Sequence, residues 1–331
     1  MSLFIPLIFV LALILAANRA AVSSDPKAKR LFTWLMAVLN SSLIVLGVVF
    51  YFIPVELFPL QPEAGSAEIN VLSISLIVIA TGLWGLLSCW QLFRAFLARF
   101  IPLDAESPVH LTALVLAGYL ASNTALALSQ EFLQQLNPAD LAVSVTDVVM
   151  QQSAFVLIAL FGTGLFTRRD TAGIMNRLGL TRPTAGQLVI GFGVIFMLIA
   201  IQATIGAIWA LLDPEQAAQL GSINEALLVG FDSIGEWLVL AAASGIGEET
   251  LFRGAIQPVF GLPLTALLFA VVHVQYGLTP ITLAVFLLGL ILGLVRRYTN
   301  TTVAIFIHFG YNFSLGLLSM LALYLEQFVT P

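Results

Sequence analysis

Glu248 and Glu249 stand side by side, Arg253 follows four residues on, and all three lie inside a long apolar run. Trp237 to Gly247 precede them, and a second apolar stretch ends at Phe269-Ala-Val-Val-His273. An ionisable side chain at the centre of a membrane span costs about 2.5–3.5 kcal/mol even on the lenient insertion scale, so its default reading is a functional one. Of three histidines, His110 opens an apolar segment, where an interface suits an imidazole, whereas His273 and His308 lie deep within theirs. Asn312 follows His308 at i+4 and therefore shares its helical face. Glu249 with Arg253, and Phe269 with His273, have the same spacing. A carboxylate and an imidazole can together hold and deprotonate a water. A second imidazole and an amide can donate hydrogen bonds to a developing oxyanion.

Each of these residues also has a structural use. Glu249 and Arg253 can pair within one helix, and intramembrane histidines can tie helices together for roughly 0.6–2 kcal/mol each. Depth argues for a shared site. The run Pro258-Val-Phe-Gly-Leu-Pro263 breaks the helical pattern. Glu248 lies about ten residues before that break and His273 about ten to twelve after it, so both sit roughly 15 Å from the turn at 1.5 Å per residue. His308 lies about eight residues, or roughly 12 Å, beyond the basic pair Arg296-Arg297 side of its own helix. Three helices thus deliver Glu248, His273 and His308 to a common level.

The elements that position them follow from composition. The chain has 331 residues, of which 60% are hydrophobic and 9% charged, with a mean hydropathy of +1.01. Soluble domains carry roughly 25% charged residues, so the expected fold class is all-α, a polytopic transmembrane helical bundle. The net charge of −5 says little about partners in a chain whose charges sort loop by loop, but no basic patch suits a nucleic-acid partner, and the single Cys89 excludes an intrachain disulfide or a cysteine-built metal site. Apolar stretches near 3–18, 31–53, 70–93, 109–129, 143–167, 186–212, 230–256, 259–275, 279–295 and 301–325 predict about ten spans, or eight if short ones merge. The connections alternate in charge. Arg19 to Arg30, Arg94 with Arg99, Arg168 to Arg182, and Arg296-Arg297 are basic; Glu56 to Glu68, Glu131 with Asp140, and Asp213 with Glu215 are acidic. The positive-inside rule then places the basic connections in the cytosol and both termini outside, with the site reached from the cytosolic half of the bilayer. Leu3–Ala17 lacks a basic leader and reads as an uncleaved first span.

Residues 54–69 read as an outside loop and 168–185 as a basic connection along the interface. Ser222-Ile-Asn-Glu225 predicts a capping box and a helix running from there to about Gln257, roughly 50 Å long. Ser244-Gly-Ile-Gly247 offers little bulk beyond Ile246, so a neighbouring helix or an extended substrate can come close.

Glu248-Glu249-x-x-x-Arg253, Phe269-x-x-x-His273 and His308-x-x-x-Asn312 together resemble the three signatures of the CAAX-prenyl-protease and bacteriocin-processing family, also called abortive-infection proteins. Arg177-Leu-Gly-Leu-Thr-Arg-Pro183 resembles the basic segment that often precedes the family core. The resemblance covers about 175–325, with the motifs inside 236–325, and divides the chain into N-terminal spans over 1–140 and a protease core over 141–331. It implies a multi-pass intramembrane endopeptidase of a bacterial cell membrane, acting on a hydrophobic, prenylated or membrane-inserted protein or peptide. Possible tasks are CAAX-type processing, peptide maturation and bacteriocin immunity. It implies Glu248 as the base that activates water, His273 as its assistant, His308 and Asn312 as oxyanion donors, and Glu249 and Arg253 as residues orienting Glu248, with Phe269 in support. Glu248, His273 and His308 could also supply a His₂Glu zinc site with an open water position. Asn312 weighs against an obligatory metal, because amides are uncommon zinc ligands and common oxyanion donors.

Three other readings fit intramembrane carboxylates and histidines. A proton- or ion-coupled transporter would use them as a relay, but would favour inverted repeats, which the sequence lacks. A membrane haem protein would use His273 and His308 as axial ligands. A catalytically idle scaffold or immunity protein would keep the fold alone.

Overall fold

The structure, a computed structural model, describes residues 4–54, 70–129 and 142–329. Residues 55–69 of the loop expected over 54–69, the acidic residues Glu131 and Asp140, and the expected boundary near 140 fall outside them. The described residues are helical almost throughout, and they form a polytopic bundle with nine helices long and apolar enough to cross a membrane.

Helices α1 (Phe4–Val22), α2 (Pro26–Phe52), α3 (Val71–Cys89) and α5 (Pro108–Ser129), with the short α4 (Gln91–Leu97), make up the N-terminal part. Asp25 caps α2 by accepting from the Lys27 amide, and Pro26 follows at the first helical position, where its missing N–H costs nothing. Helix α6 (Val145–Gly162) leads through the basic connection and the short α7 (Thr171–Leu178) to α8 (Ala185–Leu212). Ile174 and Leu178 of α7 are fully buried, Gly173 and Arg177 are half-buried, and Thr171, Ala172, Met175 and Asn176 are exposed.

Helix α9 (Pro214–Leu228) corrects one expectation. Ser222 and Glu225 lie in its interior rather than at a helix start, because Asp213 caps the helix and Pro214 opens it. The chain breaks near Gly230, and the capping box belongs to Ser233 and Glu236, which begin α10 (Ile234–Glu249). The long helix expected from Ser222 is therefore two helices.

Helix α10 runs into a π-helical segment, Thr250–Ile256, and then α11 (Gln257–Val271). The stretch 234–271 counts as one of the nine helices by length, yet it does not run straight. Glu248 and His273 are about 25 residues apart and would be separated by roughly 37 Å along a continuous helix. Their side chains come within 4.0 Å, so the chain folds back between them. Gly261 makes the reversal with φ 76° and ψ 174°, a region open to glycine and closed to residues with a Cβ. The break expected over 258–263 is thus a hairpin, and 234–271 contributes two arms. Helices α12 (Pro280–Tyr298) and α13 (Thr301–Val329) complete the described residues.

The core surrounds these last elements. α10 packs on α13 and α6, α11 on α12, and α8 on α13. Phe252, Phe269, Leu292 and Ile307, each at most 1% exposed, form its centre with Ile174 and Leu178 from α7.

Candidate active site

Four elements supply the site. Glu248 and Glu249 end α10, Arg253 sits in the π-helical segment, Phe269 and His273 lie on and just past α11, and His308 with Asn312 lies on α13. All seven residues expected from the sequence converge. Glu248 Oε2 lies 4.0 Å from Nε2 of His273 and 4.0 Å from Nε2 of His308, so one oxygen faces both imidazoles. That oxygen is buried and has no hydrogen-bond partner among the described residues.

Backbone proximity makes this convergence feasible. A Cβ on Gly245 would lie 3.2 Å from the Ile305 carbonyl of α13, and one on Gly247 would lie 2.9 Å from the Gln152 carbonyl of α6. The two glycines let α13 and α6 close on opposite sides of the glutamates, the close approach that Ser244-Gly-Ile-Gly247 predicts.

Each imidazole is fixed through Nδ1. His273 Nδ1 is 2.6 Å from the Phe269 carbonyl, which can only accept, so Nδ1 donates there and Nε2 is the ring nitrogen turned toward Glu248. His308 Nδ1 is 2.8 Å from Glu249 Oε1 and donates to that carboxylate. Phe269 is fully buried between the rings, with its centroid 4.7 Å from that of His273 and 6.1 Å from that of His308. Its face receives the Arg253 guanidinium at 4.4 Å, a desolvated cation–π contact.

Glu249 and Arg253 form the expected i, i+4 pair, Oε2 to Nε 3.1 Å, with both side chains wholly buried. The pair does not touch Glu248. Glu249 spends its second oxygen on His308, and Glu248 is held by Gln152 of α6, whose Nε2 donates to Oε1 at 3.0 Å. Sequence reasoning missed Gln152. Its one signal is a polar pair, Gln151-Gln152, inside an otherwise apolar helix. Asn312 Nδ2 donates to Ser244 Oγ at 2.9 Å, which fixes its amide and leaves one N–H over.

Exposure grades across the site. The His273 side chain is 20% exposed and Glu248 12%, whereas His308 is 4% and the Glu249–Arg253 pair 0%. The water-accessible side is therefore that of Glu248 and His273. Tyr276 stacks on His273 from that direction, with ring centroids 6.1 Å apart and planes 4° from parallel.

As a metal set the residues are open. Ligands of a tetrahedral zinc at bond lengths of 2.0–2.1 Å stand about 3.4 Å from one another. The 4.0 Å separations are wider, and among the described residues no group of three or more His, Cys, Asp or Glu side chains comes together as a metal cage.

Residues 230–314, about a quarter of the chain, match the family described as Rce1-like, type II CAAX prenyl endopeptidase Rce1-like. The matched segment contains the three motifs and bears out the resemblance read from them. No curated protein and no solved structure matches the chain.

Proposed function

We propose that this chain, which carries an Rce1-like type II CAAX prenyl endopeptidase segment over 230–314, cleaves a peptide bond of a lipidated or membrane-inserted protein by means of a water held between Glu248, His273 and His308. One observation carries the reading: a single unpartnered carboxylate oxygen stands 4.0 Å from two imidazole nitrogens. That gap is too long for a direct hydrogen bond and suits one bridging water.

The reaction follows from the hydrogen bonds around that point. The Glu248 carboxylate, aided by the lone pair of His273 Nε2, takes a proton as the water oxygen bonds to the scissile carbonyl carbon. The carbonyl electrons move onto oxygen, and His308 Nε2–H with the spare N–H of Asn312 stabilises the oxyanion. His308 can donate from Nε2 while Nδ1 donates to Glu249 only as an imidazolium. With His308 charged, Glu248 and Glu249 balance Arg253 and His308, so the buried set is neutral overall. Collapse of the intermediate breaks the C–N bond, and the proton on Glu248 passes to the departing amine. This scheme asks nothing of a metal, and the 4.0 Å separations, wider than tetrahedral spacing, support it. In orientation, the basic connections support a cytosolic approach to the site.

The test compares wild type with Glu248→Gln in proteoliposomes, using a prenylated CAAX peptide and an unprenylated membrane-inserted peptide as substrates. The glutamine keeps size and hydrogen bonding but cannot serve as a base. Cleavage should fall by at least about 10²-fold while thermal unfolding in detergent stays where it was. Full cleavage by the variant would remove Glu248 from the chemistry.

A further inference from the structure

A cavity that does not include Glu248 lies against the π-helical segment, lined there by Leu251, Ala255 and Ile256. It encloses about 670 Å³ between the N-terminal helices and the core, within the range of small-molecule sites. Helix α1 lines it from Pro6 to Ala17 and α5 from Val109 to Leu120, each a run of roughly 17 Å at 1.5 Å per residue. That is about one leaflet of a hydrocarbon core roughly 30 Å thick.

The walls are largely apolar, with His110 and Tyr119 among the few polar residues. Asn40, Ser42 and Thr112 line the cavity, but each spends a donor on a carbonyl of its own helix: Met36, Leu39 and Pro108 respectively. One end differs. Arg168, Arg169 and Arg177 line it together. Among the described residues no carboxylate lies within 4.0 Å of any of the three, since the one arginine ion pair is that of Arg253. The adjacent Asp170 caps α7 through the Gly173 amide. Arg169 donates to the Thr163 carbonyl and Arg177 to the Gly254 carbonyl at 2.8 Å, which leaves most of their N–H groups over. The Arg168 guanidinium has no hydrogen-bond partner among the described residues, its backbone N–H alone being bonded, to the Gly164 carbonyl. Burial and the neighbouring Arg169, Arg296 and Arg168 push Arg177 down to about 10, still protonated at neutral pH. Three mutually repelling guanidinium groups without a counter-charge, at the mouth of a leaflet-deep apolar slot, call for an anion with a tail.

We propose that this cavity binds an anionic lipid, its phosphate or carboxylate head held by Arg168, Arg169 and Arg177 and its hydrocarbon chain lying between α1 and α5. Guanidinium groups match such heads through paired N–H donors. The ligand would also touch Leu251 and Ala255 of the π-helical segment and Phe155, which stacks edge-on against Phe252 at 6.4 Å. Its tail would therefore brace the segment that carries Arg253. The site stands whether or not Glu248 is a catalytic base.

The experiment uses the full purified chain in a neutral maltoside detergent and four probes: tetradecyl phosphate, tetradecyl maltoside, tetradecyl trimethylammonium and inorganic phosphate. Binding is read by native mass spectrometry and by protection against thermal unfolding. Tetradecyl phosphate should bind saturably and at least ten times more tightly than the two other amphiphiles, and inorganic phosphate should not protect. Arg168→Gln, at an exposed side chain with no protein partner to lose, should weaken tetradecyl phosphate about tenfold at unchanged basal stability. Leu13→Trp, which fills the slot, should abolish it. Equal binding of the three amphiphiles, protection by inorganic phosphate alone, or indifference to both substitutions would each overturn the assignment.

Discussion

Oε1 of Glu249 lies 2.8 Å from Nδ1 of His308, so the second glutamate of the pair orients an imidazole on another helix rather than its own neighbour Glu248. The two adjacent carboxylates flank the His308 ring, one toward each nitrogen. Glu248 looks toward the accessible side, held by Gln152, and Glu249 looks into the sealed side, held by Arg253. Their substitutions should accordingly fail in different ways.

Glu249→Gln should act through folding. It leaves Arg253 fully buried without its counter-charge, a defect worth about 3–5 kcal/mol in comparable buried pairs. It also loosens His308. Thermal unfolding in detergent should therefore move down by several degrees or more, in contrast to Glu248→Gln. A Glu249→Gln protein as stable as wild type would mean that Arg253 finds another partner.

Gln152→Ala should act through turnover. Gln152 touches no reacting atom in the proposed reaction; it positions Glu248 through one 3.0 Å hydrogen bond. A misplacement of the base by about 1 Å can cost up to about 10²-fold, so kcat should drop by roughly ten- to a hundredfold with KM little changed. A matched rise in KM at constant kcat would assign Gln152 to substrate binding instead.

Chelation gives the third outcome. If Glu248 and His273 polarise the water unaided, incubation with a strong chelator followed by its removal should leave cleavage intact, and elemental analysis should find metal well below one per chain. Stoichiometric zinc in active protein, lost together with activity in His308→Ala, would reverse that reading.

Topology can be tested by cysteine labelling. Thr171 is exposed at the start of α7 and Tyr298 is 77% exposed at the end of α12. Cysteines placed there singly, in a Cys89→Ala background, should react with impermeant thiol reagents from the cytosolic face alone. Labelling of either from outside would invert the orientation read from the basic connections.

Much of the site is legible in the sequence because its signals are local. Ionisable residues in apolar runs, i+4 spacing, and a proline- and glycine-marked break are enough to put Glu248, His273 and His308 at one depth, and Gly261 makes that break where the residue pattern predicts it. Other features depend on contacts that spacing does not encode. Ser222 with Glu225 and Ser233 with Glu236 fit one capping pattern equally well, and only the cap at Asp213-Pro214 together with the break at Gly230 selects the second. Gln152 is nearly a hundred positions from Glu248 in sequence, so no motif joins them. The division of labour between the glutamates is hidden for a related reason. Sequence spacing pairs Glu249 with Arg253 but does not show that its other oxygen reaches α13.

The π-helical turn at Thr250–Ile256 has a consequence for descent. It accommodates a residue that an α-helix of the same span would not, and removing one residue there would let the backbone settle into ordinary α geometry with its hydrogen bonds intact. Everything downstream would then be turned by about 100°, the angular step of one helical residue. The Gly261 reversal would then aim His273 away from Glu248. Loops elsewhere can gain or lose residues freely, but the interval from Glu248 to Gly261 works as a ruler. Lineages that keep the chemistry should hold its length fixed even where its side chains drift.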